Sequence, residues 1–225
     1  AFSLSLYSGQ MCTAPQNIFM SELGVLVEGT YVSVDDVALQ LRTKIDNIVL
    51  NEKMGPGTLG ALQNPRILAG LREAEESGLD IIRPSSPLRQ PGYDGACSVT
   101  PLVLKTDPSR ADLFEREWFG PVSFIVTTKS FEQSLTMVEN SITRIGALTA
   151  LVFTVDEEKM QRAEDLLTIA GAPVAFNLNS SVWVNQSAAF SDFHGAGHNP
   201  AGNAAFTDLS FVANRFNFVG VRRQV

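Results

Sequence analysis

The chain is poor in the residue types that most often reveal function, with two cysteines, two histidines and two tryptophans in 225 residues. Cys12 and Cys97 cannot supply the disulfide framework of a secreted domain, so a reducing, cytoplasmic setting is expected. Basic residues are outnumbered, 17 Lys and Arg against 24 Asp and Glu, for a net charge of −7. A nucleic-acid partner needs clustered cations to neutralise phosphates. The one basic pair, Arg222-Arg223, stands at the very end, so no nucleic acid is expected. No apolar run approaches the ~20 residues that span a bilayer, and no signal-peptide layout opens the chain. A membrane partner is therefore not expected either. No Gly-x-Gly-x-x-Gly follows a strand pattern, so the usual dinucleotide-binding turn is missing. Internal repeats and low-complexity segments are absent too.

Apolar residues make up 44% of the chain, enough to bury a substantial core. Strand and helix patterns alternate along it. Short apolar strands are expected over 16–20 and 25–27. Ser33 with Asp36 three residues on is a capping-box arrangement, and Val34, Val37, Ala38, Leu41, Ile45 and Ile48 follow at helical spacing. The glycines and proline of Met54-Gly55-Pro56-Gly57 read as a loop that ends that helix. Further helices are expected over 65–77, 131–142 and 157–170, and strands over 79–82, 99–104, 122–127, 148–154 and 174–178. The Pro- and Gly-rich stretch 84–95 reads as a surface excursion. The expected fold is α/β, an open, largely parallel twisted sheet with helices on both faces. Residues 1–212 form the expected main body. Residues 213–225 form a C-terminal strand segment with a possible role in oligomerisation, because an uncovered strand edge favours pairing.

The segment Gly9-Gln10-Met11-Cys12-Thr13-Ala14-Pro15 places a cysteine in a tight turn just ahead of the apolar run Ile18-Phe19-Met20. An attacking thiol must be partly exposed, with backbone N–H groups near its developing charge, and such a turn provides both. The alternative is that Cys12 is a small buried hydrophobe. A second segment, Glu117-Trp118-Phe119-Gly120-Pro121-Val122, places an aromatic residue two positions after a carboxylate. A carboxylate can accept two hydrogen bonds at once. Otherwise Glu117 is a solvated charge beside Arg116, and Phe119 is core.

Together the two segments resemble the aldehyde dehydrogenase family, whose nucleophile lies in Gly-Gln-x-Cys and whose cofactor-contacting glutamate lies in Glu-x-Phe-Gly-Pro about a hundred residues later. Gly60-Ala61-Leu62-Gln63-Asn64, Thr100 to Leu104, Leu148 to Thr154 and Ala170 to Asn177 match in the same order, so the resemblance covers roughly residues 2–178. It implies NAD or NADP as cofactor, a small-molecule aldehyde as substrate and a homo-oligomer. Cys12 is then the catalytic nucleophile, forming a thiohemiacetal and then a thioester. Glu117 and Phe119 contact the nicotinamide ribose and ring. The cofactor-binding domain, the deacylating base and the second oxyanion donor would lie upstream, which makes this chain the C-terminal catalytic part of a longer enzyme, inactive alone. The tail, Asn185 to His194 with Phe206 to Phe216, departs from the family's Phe-Gly-Gly loop and is similar to the PaaN-like branch assigned to phenylacetic acid degradation. That branch implies a ring-opened semialdehyde, with or without a link to coenzyme A.

Other residues offer weaker chemistry. Asn177 is expected to satisfy backbone at a strand end. Asp192, His194 and His198 do not form a metal site, because Gly195, Gly197 and Pro200 break the helix that their spacing needs. Two other function classes stay open: a Cys12–His194 thiol hydrolase, and a non-catalytic folding or oligomerisation module.

Overall fold

The computed structural model describes residues 1–179 and 219–224. The chain forms two compact units, Ala1–Ser134 and Leu135–Val225. The division expected after residue 212 lies outside the described residues.

The first unit opens with a short helix α1 (Phe2–Ser5) and an irregular turn over Leu6–Gly9 that lead into strand β1 (Asn17–Ser21). A hairpin of β2 (Val25–Val27) and β3 (Thr30–Val32) precedes helix α2 (Val34–Val49). The Ser33 hydroxyl accepts from the Asp36 N–H at 3.1 Å and donates to the Asp36 carboxylate at 2.7 Å, which fixes the start of α2. Val34, Ala38 and Ile45 of the expected stripe are buried, with Val49 beyond them. They pack with Leu4, Met20, Val103 and Ile125 in one apolar cluster.

Residues 54–57 form part of a helix, α3 (Met54–Thr58), rather than a loop. The Asn51 carboxamide oxygen accepts from the N–H groups of Lys53 and Met54, and a proline early in a helix loses no hydrogen bond. The string Gly55-Pro56-Gly57-Thr58-Leu59-Gly60 therefore has the Gly-x-Gly-x-x-Gly form but none of the strand-to-helix context that binds a dinucleotide.

Helix α4 (Pro65–Glu75), capped by Asn64, is followed by β4 (Asp80–Arg83), β5 (Pro87–Leu88), β6 (Ser98–Val99), β7 (Leu102–Thr106), α5 (Ala111–Phe114) and β8 (Val122–Thr128). The main sheet runs β1-β8-β7-β4, and its first three strands are mutually parallel. Only β4 is antiparallel, at the edge. Strand β8 lies between β1 and β7 and is buried on both faces, with Val122, Phe124, Ile125 and Val126 all buried. Ile125 faces the α2 cluster, while Phe124 stacks obliquely against Trp118, 5.9 Å between centroids.

The single strand expected over 99–104 is split into β6 and β7. The buried Arg83 guanidinium explains the break: it donates to Thr100 Oγ1 at 2.9 Å and to the Pro101 carbonyl at 2.6 Å, and it pairs with Asp46 Oδ1 at 2.9 Å. Burial lowers the pKa of this guanidinium and the neighbouring Asp46 carboxylate partly restores it. Asp46→Asn should remove a charge-assisted bond and destabilise the protein by about 2 kcal/mol, read as a lower urea midpoint. An unchanged midpoint would show that the pair is idle.

The second unit holds a three-stranded parallel sheet, β11-β10-β9, from β9 (Ala150–Val152), β10 (Val174–Phe176) and β11 (Val221–Arg223). Helix α6 (Phe131–Arg144) spans the boundary between the units, and α7 (Glu157–Ile169) follows β9. Asp156 caps α7 by accepting from the N–H groups of Glu158 and Lys159. Those bonds, led by the Lys159 N–H, hold its carboxyl below the usual range. Arg223 of β11 pairs with Glu164 of α7 at 2.7 Å, so the C-terminal strand is anchored within its own chain. The α/β class with a largely parallel sheet is as expected. Among the described residues no helix is long and apolar enough to cross a membrane.

Candidate active site

Three consecutive residues ahead of the cysteine take left-handed backbone: Tyr7 (φ 52°), Ser8 (φ 55°) and Gly9 (φ 67°). Two of them carry side chains, so this turn persists only because its surroundings hold it. The Ser8 hydroxyl donates to the Gly60 carbonyl at 2.9 Å. The Gln10 amide donates to the carbonyls of Tyr7 and Ala61, at 2.9 and 3.0 Å, and its oxygen accepts from the Gln63 N–H at 3.0 Å. The segment Gly60 to Gln63 is therefore the clamp for the Gly-Gln turn.

Cys12 sits at the second position of a β-turn closed by the Ala14 N–H on the Met11 carbonyl at 3.0 Å. That bond does not consume the N–H of Cys12, whose side chain is exposed. Its exposure excludes the reading of Cys12 as a small buried hydrophobe. Thr13, by contrast, is buried, and among the described residues its hydroxyl has no partner.

The second motif is built by alternation along the chain. Arg116, Trp118 and Gly120 lie against α4, where Glu73, Gly70 and Ile67 meet them in turn. Arg116 pairs with Glu73 and lies 3.9 Å from the Trp118 ring centroid. A Cβ on Gly70 would stand 3.7 Å from the Trp118 ring, and one on Gly120 would stand 2.5 Å from Ile67 Cγ2. The intervening residues, Glu117 and Phe119, are left exposed, Phe119 at 49%. Phe119 is thus not core, and a half-exposed aromatic one residue from an exposed carboxylate suits a ligand with a hydroxylated sugar and a flat ring.

The two motifs meet. A Cβ on Gly9 would lie 2.2 Å from the Gly120 carbonyl oxygen, so these backbones touch as only glycine permits. On the other side of the cysteine, the Gln16 amide bonds Arg116 and Trp118, and the Asn17 amide donates to the Phe114 carbonyl at 2.9 Å. The Ser123 hydroxyl donates to the Pro15 carbonyl at 3.1 Å. The loop that carries Cys12 therefore rests at both ends on the segment that carries Glu117 and Phe119.

The remaining candidates separate from this site. Asn177 (φ 56°) accepts from the Thr154 N–H and donates to the Thr154 carbonyl, both at 2.9 Å, which is the backbone role expected of it. Cys97 is exposed and its carbonyl accepts from the Leu62 N–H at 2.7 Å. Asp192, His194 and His198 lie outside the described residues, as do residues 180–218 as a whole. Among the described residues no group of His, Cys, Asp and Glu side chains is placed to hold a metal ion. Sequence reasoning missed Gln16. It directly follows the cysteine segment, but its partners Phe114, Arg116 and Trp118 are about a hundred residues away, and nothing in its spacing marked it.

Residues 1–206 match the family model described as the aldehyde dehydrogenase family. The chain belongs to that family. Among solved structures, an NAD-dependent aldehyde dehydrogenase from Burkholderia multivorans is 36% identical with a TM-score of 0.83, over 96% of this chain and 38% of that one. Lactaldehyde dehydrogenase from Escherichia coli is 18% identical with a TM-score of 0.57, over 80% of this chain and 36% of that one. An NAD-dependent benzaldehyde dehydrogenase from Corynebacterium glutamicum is 18% identical with a TM-score of 0.54, over 78% and 35% of the two chains. The last two share the aldehyde dehydrogenase fold and carry no finer inference. No curated protein matches the chain. The chain spans between a third and two fifths of these relatives.

Proposed function

We propose that this chain supplies the thiol and the nicotinamide-end contacts of an NAD(P)-dependent aldehyde dehydrogenase. The observation that carries the reading is the anchoring of the Cys12 loop, at both ends, on the segment that exposes Glu117 and Phe119. Such anchoring would hold a nucleophile and a cofactor contact in fixed relation, as oriented reactants require.

The deprotonated Cys12 Sγ adds to the aldehyde carbon, forming a C–S bond while the carbonyl π pair moves to oxygen. The Cys12 N–H, not consumed by its turn, donates to that oxyanion, a contribution of roughly 3 kcal/mol for one such donor. The nicotinamide, when bound, supplies a hydride acceptor. Glu117 is suited to accept from the hydroxyls of its ribose, and Phe119 to pack on its ring. Cys12 then carries the acyl group as a thioester until water releases the carboxylic acid. Within this reading the cofactor is NAD or NADP, and the protein is a homo-oligomer. The aldehyde is a ring-opened semialdehyde of phenylacetic acid degradation, an assignment supported by the sequence of the tail.

Glu117→Gln tests the cofactor contact. In an enzyme carrying this chain it should raise the cofactor KM ten- to a hundredfold, the value of one charge-assisted hydrogen bond, with the aldehyde KM little changed. Steady-state kinetics with each cofactor decide it. An unchanged cofactor KM and rate would make Glu117 a surface charge.

A further inference from the structure

The Gln16 side chain bonds both peptide groups that flank Glu117. Its Nε2 donates to the Arg116 carbonyl at 2.8 Å, part of the peptide joining residues 116 and 117. Its Oε1 accepts from the Trp118 N–H at 2.8 Å, part of the peptide joining residues 117 and 118. A further bond from Nε2 reaches the Phe114 carbonyl at 3.1 Å. Peptide groups are planar, so between two held planes only φ and ψ of Glu117 remain, and fixing both planes fixes the direction of its Cα–Cβ bond. The main chain of Gln16 is equally committed, since its carbonyl accepts from the Phe124 N–H at 2.8 Å where β1 begins to pair with β8. Gln16 is also four residues from Cys12 on the same connection.

We infer that Gln16 is a positioning residue: it aims the Glu117 carboxylate at the cofactor's ribose and ties that aim to the strand that follows Cys12. The inference rests on the reading of Glu117 given under the proposed function. The chemistry calls for glutamine. The partners are the carbonyl oxygens of Phe114 and Arg116, the Asn17 Oδ1 at 3.4 Å and the Trp118 N–H, which require a donor and an acceptor on one short group. Glutamate of the same length keeps the acceptor and loses the donors, and it sets a charge against two carbonyls. Alanine loses all of these bonds.

The test is a double-mutant cycle in an enzyme carrying this chain, with Gln16→Ala, Glu117→Ala and their combination, scored on the separate KM values for cofactor and aldehyde. Gln16→Ala should raise the cofactor KM about tenfold while the aldehyde KM stays within about twofold, since lost hydrogen bonds near one ligand act on that ligand. Gln16→Glu should fall between wild type and alanine. In the Glu117→Ala background, Gln16→Ala should add less than about twofold, because no carboxylate is left to aim. An equal effect in both backgrounds, or an equal rise in both KM values, would show that Gln16 merely supports the fold and would overturn the inference. Should Gln16→Ala fail to fold, the same cycle run with Gln16→Glu decides on the same criterion. A Glu117→Ala enzyme with unchanged cofactor KM would overturn the reading of Glu117 and this inference with it. An effect of Glu117→Ala with none from Gln16→Ala would overturn the inference alone.

Discussion

Cys12→Ala should abolish aldehyde oxidation by an enzyme carrying this chain, leaving less than about one part in a thousand of the rate, while the protein stays folded. The size of the effect follows from the chemistry. Without an added nucleophile the aldehyde carbon has no electron-rich oxyanion to expel a hydride, and the covalent route that divides the reaction into two accessible steps is gone. The fold should tolerate the change because the Cys12 side chain is exposed and its turn is closed by backbone atoms of Met11 and Ala14. Formation of NADH or NADPH is the readout, with circular dichroism for the fold. Retention of more than a few per cent of activity would remove Cys12 from the mechanism. Cys97→Ala serves as the control and should keep its activity, because the bond from Cys97 to Leu62 is made by its backbone carbonyl, which alanine keeps.

Gly9→Ala is expected to be nearly as damaging, by a different route. A methyl group there would lie 2.2 Å from the Gly120 carbonyl oxygen and 2.7 Å from its carbon, on backbone already at φ +67°. The conformational part alone costs about 1 kcal/mol, and the overlap adds more because the obstacle is main chain and cannot swing aside. Relief requires the Cys12 turn and the Glu117 segment to move apart. The variant should therefore show lower thermal stability and at least a hundredfold loss of activity. Gly57→Ala is the matched control, since nothing lies within 4 Å of a Cβ placed there. Wild-type activity in Gly9→Ala would contradict the contact between the two motifs.

Much of this architecture was legible in local sequence. Ser33 and Asp36 marked the start of α2, the spacing of Val34, Ala38 and Ile45 marked its buried face, and residues 122–127 were legible as a strand. These signals sit within one helical turn or one strand, where period and capping act. The failures share the opposite property. The glycines and proline of Met54 to Gly57 suggest a loop, and the Asn51 carboxamide that accepts from the N–H groups of Lys53 and Met54 just ahead of the helix leaves no periodic signal. The strand break at Thr100 and Pro101 depends on Arg83, whose guanidinium reaches them from the end of another strand. The antiparallel setting of β4 is likewise a property of pairing with β7, which period and composition do not encode.

The site divides in the same way. Cys12, Glu117 and Phe119 were visible as motif residues, and the structure places their two segments in contact. What sequence could not supply was the means of that contact. Gly9 meets Gly120, and Gln16 meets Arg116 and Trp118, across gaps of about a hundred residues. Gln10 performs the matching task toward Ala61 and Gln63. Polar side chains that bond distant backbone leave no periodic trace, so their work becomes apparent only when the chain is folded.

The central claim is that Cys12 carries the acyl group, and the most direct measurement is the mass of the quenched enzyme. An enzyme carrying this chain, mixed with cofactor and an aldehyde that it turns over and stopped in acid within one turnover, should yield a peptide containing Cys12 heavier by the acyl group. The peptide containing Cys97 should be unchanged, and the adduct should vanish when cofactor is omitted. An acyl group found on Cys97 or on any other residue, or cofactor reduction with no adduct on Cys12 at any time, would contradict the account.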